Sequence, residues 1–345
     1  MIELPIIDTP WIKAYQIRNF ELGILQDKTP WILSKYINCT YTAKAEAMFD
    51  HCISAYGRFF FKEKALLMQR FKFNKSIFSF KAMDFVKWAK SLLDQEWYLM
   101  GYLDEYYVKS KQAYNKYHFR HSMMIYGYDE IGKVFYAIGY TNENKYSKYS
   151  ISFEEFLKSV QVEYDSVKKD YIPRDIERVE FDAVKINPEH NFEFDLKEVY
   201  LGIKDYINST DSYDTNNSNY LYGIECERKF VEYIQNSIEK EDAYLDVRYS
   251  RLFMEMKDIM IRRLEYLVSI GVISNELLEE YRTISKKQTY IHLAFIKYNL
   301  KHNDDTLKYA VSALQTIIES ELNLLPQICS QILSALQANK KGEYL

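Results

Sequence analysis

The last third of the sequence constrains the fold more than any other part. Beyond residue 220, apolar residues recur at helical spacing in ECERKFVEYIQNSIEK, YLDVRYSRLFMEMKDIMIRRLEYLVSIG, NELLEEYRTISKKQTYIHLAFIKYNL and DTLKYAVSALQTIIESELNLLPQICSQILSALQ. Glycine (10) and proline (6) are scarce among the 345 residues, which favours long helices over a many-stranded barrel or sandwich. The sequence therefore predicts a helical bundle at the C-terminal end.

The middle of the chain carries a different pattern, which is typical of strands. Aromatic and β-branched residues dominate WYLMGYLDEYYV, HSMMIYGYDE, KVFYAIGYTN and, further on, RVEFDAVKI. The second and third of these segments are joined by DEIG, a short hairpin connection. A small antiparallel sheet is therefore predicted here.

Shorter helices are predicted on both sides of the strands. Residues 1–38 contain three prolines and predict an irregular lead-in, followed by a helix from Thr40 to Gly57. FKEKALLMQRF, KAMDFVKWAKSLLDQ and SISFEEFLKSVQVEYDSVKK predict further helices. The order predicts an α+β fold with two domains, 1–195 and an all-helical 196–345.

Charge and cysteine usage exclude several classes of function. The chain has 45 basic and 49 acidic residues without a basic cluster, so a nucleic-acid partner is not expected. It shows no apolar run of membrane length and no signal-peptide pattern at its start, so no membrane association is expected. Four cysteines without CxxC spacing predict reduced thiols and a cytoplasmic location.

Cys39 is the cysteine with the strongest case for chemistry. It lies where an irregular segment is predicted to become a helix, and a helix N-terminus favours the thiolate form. The alternative is a small buried apolar residue. Cys52, Cys226 and Cys329 lie inside helical patterns and are expected to be buried and inert.

Two of the six histidines, His118 and His121, lie just before a predicted strand. Strand alternation puts their rings on opposite faces, which argues against a shared metal ion. A helical turn over HFRH would instead let them converge, with Asp104 or Glu105 as a third ligand. We expect no metal and no cofactor. The sharper interpretation pairs Cys39 with His121, the thiol as nucleophile and the imidazole as base.

The segments around these two residues also resemble a known family. NCTYTAKAEAMFDHCISAYG and HSMMIYGYDEIGKVFYAIGY are similar to the cysteine and histidine segments of papain-like proteins related to double-glycine leader peptidases. The closer resemblance, over roughly residues 30–170, is to the family of the N-terminal domain of butirosin biosynthesis protein H. The amide-forming enzymes of closthioamide-type biosynthesis are related candidates. The resemblance implies a papain-like core, in which a nucleophile helix packs on a small antiparallel sheet.

The resemblance also implies roles for individual residues. Cys39 would be the nucleophile and His121 the base, with Asn142 or Asp104 orienting the ring. The glutamine that leader peptidases place before the cysteine is absent, so Asn38 or backbone N–H groups would stabilise the oxyanion.

The implied activity is acyl transfer from a carrier-protein thioester to a small amine, which forms an amide in natural-product biosynthesis. The acyl group would be carried on the phosphopantetheine arm of an acyl or peptidyl carrier protein. Aromatic residues near the strands would line the substrate cleft together with His118, although packing in the core also explains them: Tyr106, Tyr107 and Tyr126. A peptidase or thioesterase with the same dyad, and a non-catalytic papain-like binding module, are the alternatives.

Overall fold

The computed structural model describes residues 1–25, 28–35, 37–42, 48–52, 68–74, 82–160, 180–212, 220–240 and 243–340. The chain divides into two compact units. The sheet unit consists of Met1–Asp27 and Glu63–His190, and the helical unit consists of Lys28–Lys62 and Asn191–Leu345. The sequence-based division into 1–195 and 196–345 treated both domains as continuous, whereas these contacts group residues 28–62 with the helical unit.

The described elements mix helices with antiparallel strands, which confirms the α+β class. In chain order they are β1 (Ile2–Glu3), α1 (Gln16–Leu25), α2 (Thr29–Leu33), β2 (Asn38–Thr42), β3 (Met48–Cys52), β4 (Met68–Asn74), α3 (Ala82–Asp94), β5 (Tyr98–Asp104), β6 (Arg120–Asp129), β7 (Val134–Tyr140), β8 (Tyr146–Ser152), α4 (Phe153–Val160), β9 (Glu180–Ile186), α5 (Leu196–Asn208), β10 (Tyr220–Tyr222), α6 (Gly223–Ile238), α7 (Val247–Ser269), α8 (Asn275–Lys301) and α9 (Asp304–Lys340).

The sheet unit is built on an antiparallel sheet with the strand order β4-β9-β5-β6-β7-β8, and β1 pairs with β6. The helix α4 begins with a reciprocal cap, because Glu155 N–H donates to Ser152 Oγ at 3.1 Å and Ser152 N–H donates to Glu155 Oε2 at 2.8 Å. Rings from α3, α4 and β9 meet beneath the sheet at Phe85, Phe156 and Phe181. The helix α3 packs against β5 and β6, and α4 packs against β5.

The helical unit contains α5 to α9 together with the small sheet β10-β2-β3. Asp195 caps α5 by accepting hydrogen bonds from the backbone N–H groups of Lys197 at 2.9 Å and Glu198 at 3.1 Å. The helix α8 packs against α7 and α9. The four long helical stretches of the sequence correspond to α6, α7, α8 and α9, so the predicted helical C-terminal part is confirmed. No helix within the described residues combines the length and the apolar character that crossing a membrane requires.

Three predictions for the first 75 residues are wrong. The lead-in contains the helices α1 and α2. The helix predicted from Thr40 is replaced, in its described parts, by the strands β2 and β3, which pair across Cys39 and His51. The end of FKEKALLMQRF lies in β4, and its first seven residues lie outside the described ones. Pairing with distant strands overrides the local helical pattern in each strand, since β2 pairs with β10 and β4 pairs with β9.

Candidate functional site

The candidate site lies at the end of β5, where the chain turns sharply before it returns along β6. A single 3-10 turn over Glu105–Tyr107 follows Asp104 directly. The returning chain is fixed by a hydrogen bond from Glu105 N–H to Phe119 O at 2.8 Å. The turn thereby brings two carboxylates and two histidines together at one end of the strands β5 and β6.

Asp104 holds His118. Its Oδ2 lies 2.7 Å from His118 Nδ1, and its Oδ1 accepts hydrogen bonds from Tyr106 N–H and Phe119 N–H, both at 3.1 Å. The carboxylate is fully buried, so it fixes the backbone of the turn as well as the ring. The His118 ring stacks on Tyr106 with 4.4 Å between the ring centroids.

Glu105 holds His121. Its Oε1 lies 2.9 Å from His121 Nδ1 and 3.4 Å from Lys111 Nζ. Lys111 is itself anchored, because its Nζ donates to Tyr140 O at 2.5 Å and lies 4.5 Å from the centre of the Tyr149 ring. The His121 side chain keeps 34% of its surface exposed, whereas the Glu105 side chain is 9% exposed.

This arrangement prepares a histidine for proton transfer. An ionised carboxylate only accepts hydrogen bonds, so the neutral His121 ring carries its proton on Nδ1 and presents the lone pair of Nε2. Among the described residues, none forms a hydrogen bond with Nε2 of either histidine. His118 and His121 are therefore two oriented bases with different carboxylate partners.

The predicted orienting residues have other contacts. Asp104 contacts His118, and Asn142 donates its backbone N–H to Ser110 O at 2.8 Å without a side-chain hydrogen bond to any described residue. The residue behind His121 is Glu105, which the sequence suggested only as a metal ligand. The sequence signal for Glu105 was its position beside Asp104 near the end of a predicted strand, since either carboxylate could face the ring.

Cys39 lies on β2 instead of at the start of a helix, so the predicted nucleophile helix does not begin at this residue. The residue is fully buried, and its Sγ lies 3.5 Å from Gly223 O. It belongs to the helical unit, whereas His121 belongs to the sheet unit. The Sγ atom of Cys226 lies within hydrogen-bond distance of the backbone carbonyl oxygens of Cys39 and Leu221.

The remaining predicted residues divide between the two units. Asn38 lies in the helical unit, where its amide donates to Thr210 O at 3.0 Å and accepts from Cys39 N–H at 2.9 Å. Tyr106 and Tyr107 lie beside His118, with 5.0 Å between their ring centroids. Tyr126 is buried further along β6, and burial raises the pKa of its hydroxyl. Its role in substrate binding stays a prediction.

The helical unit contains a second group of titratable side chains, which sequence reasoning missed. Lys257 Nζ lies 2.7 Å from both carboxylate oxygens of Glu321 and 2.9 Å from the Tyr206 hydroxyl, and it also contacts Glu227. Tyr281 donates to Glu321 at 2.7 Å. Burial alone would lower the pKa of Lys257, but the two carboxylates outweigh it and raise that pKa. All five side chains are buried, and we call them the Lys257 cluster.

Metal ligation finds no support in the described ranges, where no three His, Cys, Asp or Glu side chains are grouped closely enough to hold an ion. Comparison with other proteins adds no assignment. No protein-family model matches the chain, and no curated protein matches it.

Proposed function

We propose that the protein is an amide-forming acyltransferase in which His121, oriented by Glu105, is the general base. The observation that carries this proposal is the 2.9 Å contact between His121 Nδ1 and Glu105 Oε1, together with the exposure of the same ring. A histidine ring that is hydrogen-bonded at Nδ1 and has Nε2 available meets the geometric requirement for proton transfer to or from a substrate.

The proposed reaction joins an acyl thioester to an amine. His121 Nε2 takes a proton from the amine as its nitrogen attacks the thioester carbonyl, and a tetrahedral intermediate forms. The C–S bond then breaks, and the imidazolium returns its proton to the leaving thiolate. The products are an amide and a free thiol. The acyl donor in this proposal is carried on the phosphopantetheine arm of an acyl or peptidyl carrier protein, and the acceptor is a small amine.

Direct attack by the amine is the route that the position of Cys39 favours. An acyl-Cys39 intermediate requires the thiol to reach the thioester, and Cys39 is fully buried on a strand with its Sγ against Gly223 O. The proposal therefore keeps the acyl-transfer chemistry and the His121 segment of the papain-like family that the sequence resembles. It leaves out the nucleophile helix, since β2 takes the place of that helix.

The cytoplasm is the proposed location. Cys39, Cys226 and Cys329 form no disulfide with one another or with other described residues, which suits a reducing compartment. A soluble carrier protein would also be available there as the acyl donor.

Hydrolysis of the same thioester is the second candidate. It is favoured by the 34% exposure of the His121 side chain, because water could reach Nε2 in place of an amine. The product then is a carboxylic acid instead of an amide.

The test uses acyl thioesters of pantetheine, both short-chain and aromatic, with and without a panel of small amines. Products and intact protein masses are followed by mass spectrometry. His121→Asn is expected to lower the rate by about 10²–10⁴-fold, and Glu105→Gln to lower it less. The control is His302→Asn, since His302 is an exposed histidine of the helical unit with left-handed backbone (φ 46°) that asparagine tolerates.

Three outcomes separate the alternatives. Amide formation that depends on His121 and persists in Cys39→Ser supports direct transfer. An acyl mass increment on Cys39 would establish the covalent route and overturn direct attack. A His121→Asn variant that is correctly folded and as active as the His302→Asn control would overturn the proposal as a whole.

A further inference from the structure

The helix α8 has two distinct faces with different surroundings. One face is buried against the other helices of the unit, and it includes Leu277, Leu278, Tyr281, Ile284, Ile291, Phe295 and Tyr298. The opposite side, which we call the outer face, carries Lys286, Tyr290, Leu293, Lys297 and Leu300. These positions are spaced four, three, four and three residues apart, which is the repeat of a helix that packs along a second helix.

The outer face is both apolar and open. Tyr290 is 46% exposed, Leu293 is 52% exposed and Leu300 is 76% exposed. Tyr290 and Leu293 line a groove of about 420 Å³ between the C-terminal half of α8 and the first turns of α9, where Tyr309 lines the other wall. Exposed large apolar side chains on one stripe beside a groove mark a surface for a partner.

The groove itself is lined by one lysine, Lys297, and one carboxylate, Asp305, while Lys286 and Lys301 lie elsewhere along the exposed side of α8. Lys286, Lys297 and Lys301 form no ion pair with any residue in the described ranges. The carboxylate that lines the groove, Asp305, is already paired with Lys308 at 3.2 Å. A ligand that supplies carboxylates beside apolar side chains would complement this surface.

We propose that the outer face of α8 and its groove bind an acidic amphipathic helix of a protein partner. The apolar side chains of that helix would pack between Leu293 and Tyr309, and its Glu or Asp residues would pair with Lys286, Lys297 and Lys301. The proposal concerns a surface of the helical unit and does not depend on the chemistry of His121.

The charges and the groove disfavour other occupants of this surface. A symmetric dimer through the outer face would place the lysines of both copies, Lys286 and Lys297 among them, in one interface, which adds like charge. A flat bilayer surface does not fill a groove, so a membrane would leave the wall that Tyr309 lines uncovered.

The test uses the full chain and a fluorescein-labelled peptide of about 18 residues, five helical turns, with Leu and Phe on one face and Glu on the other. Two control peptides are a scrambled one of the same composition and one with Lys in place of Glu. Anisotropy should show saturable binding of the acidic helix alone, and the affinity should fall as salt rises because exposed charges are screened.

Surface variants locate the site. Leu293→Ala is expected to weaken binding roughly tenfold, and Lys297→Glu by a similar factor, with no change in thermal stability because both side chains are exposed. The matched control is Leu333→Ala, a leucine of α9 that is 38% exposed and does not line the groove.

Each other outcome would overturn the proposal. Equal binding of all three peptides, or loss of binding in the Leu333→Ala variant as large as that in Leu293→Ala, would show that the groove does not select an acidic helix. Co-sedimentation of the protein with anionic vesicles, sensitive to Leu293→Ala while the peptide does not bind, would assign the face to a lipid surface. A dimer in sedimentation that Leu293→Ala dissociates would assign it to a second copy.

Discussion

Each unit of this protein joins basic and acidic side chains in close pairs, but the two sets differ in their access to water. In the sheet unit, the side chains of His118 and His121 remain 35% and 34% exposed while their carboxylate partners are buried. In the helical unit, Lys257 is 2% exposed and its two carboxylates are fully buried. Proton exchange with a substrate requires access, so the first set is suited to chemistry.

The Lys257 cluster is suited to a different task. Its charged groups are fully removed from water. Their mutual contacts offset the cost of lost hydration only while every member of the cluster is present. The five members lie on five helices, namely Tyr206 on α5, Glu227 on α6, Lys257 on α7, Tyr281 on α8 and Glu321 on α9, so the cluster ties these helices together. The comparison teaches that similar pairs of charged side chains leave a titratable ring accessible to solvent where they are open and join helices where they are closed.

The largest expected effect is the loss of Lys257. Lys257→Met leaves Glu227 and Glu321 buried without a counter-charge, and it should lower the free energy of unfolding by about 3–5 kcal/mol. Urea unfolding followed by circular dichroism measures the change. The control is Lys158→Met on the exposed Lys158–Glu154 pair of α4, which should change stability little. Equal effects of the two variants would contradict the distinction between closed and open pairs.

Alkaline pH should weaken the same cluster. The pKa of Lys257 is raised above its ordinary 10.5 by the carboxylates despite burial, and burial with Glu227 nearby raises the pKa of Tyr206 above 10.0. Above these ordinary values the unfolded chain loses protons that the folded chain keeps, so stability is fully present below pH 10 and falls as pH rises.

The expected slope is roughly 1.4 kcal/mol per pH unit for each such group. Unfolding free energies measured from about pH 9 to about pH 12 should therefore fall less steeply in Lys257→Met than in the unchanged protein. Parallel curves for the two proteins would show that Lys257 does not keep its proton in the folded state.

A smaller loss is expected at Asp104. Asp104→Ala leaves the part-buried N–H groups of Tyr106 and Phe119 without their acceptor and should cost about 1–3 kcal/mol in unfolding experiments. Asp129→Ala is the matched control, because Asp129 accepts from Ile131 N–H at 3.0 Å in a solvent-exposed hairpin turn, where water can replace it. A larger loss at Asp129 would contradict the role assigned to burial at the end of β5.

Sequence reasoning predicted the long helices because their apolar periodicity continues over many turns, as in α7 and α8. It also predicted β5, β6 and β7, whose aromatic and β-branched residues lie in the sheet. It failed at NCTYT and MFDHC, which flank the helix-favouring run AKAEA. The partner of β2 on one side is β10, almost two hundred residues later, and no local pattern reveals such a pairing.

The candidate site shows the same limit. His121 was predicted as a site residue because a histidine at the start of an apolar strand is visible in the sequence. Its partner Glu105 was not predicted, because the choice between Asp104 and Glu105 depends on the register of β5 with β6. It also depends on the 3-10 turn that redirects Glu105. In that register Leu103 lies opposite His121 and Asp104 opposite Arg120, so the turn alone brings Glu105 to the ring.

The smallest expected effect is the coupling between His121 and Glu105. A double-mutant cycle with His121→Ala and Glu105→Ala should give a coupling energy of about 0.2–1 kcal/mol in unfolding experiments, since the ring is partly in water. The same cycle for Lys257 and Glu321, as Lys257→Met and Glu321→Leu, should give a clearly larger coupling energy, because both side chains of this ion pair are buried and water does not weaken their attraction. A large coupling energy between His121 and Glu105 in unfolding experiments would show that this pair supports the fold, as the Lys257 cluster does. A weak coupling to stability combined with a strong effect of Glu105→Gln on acyl transfer would separate orientation of the base from support of the fold.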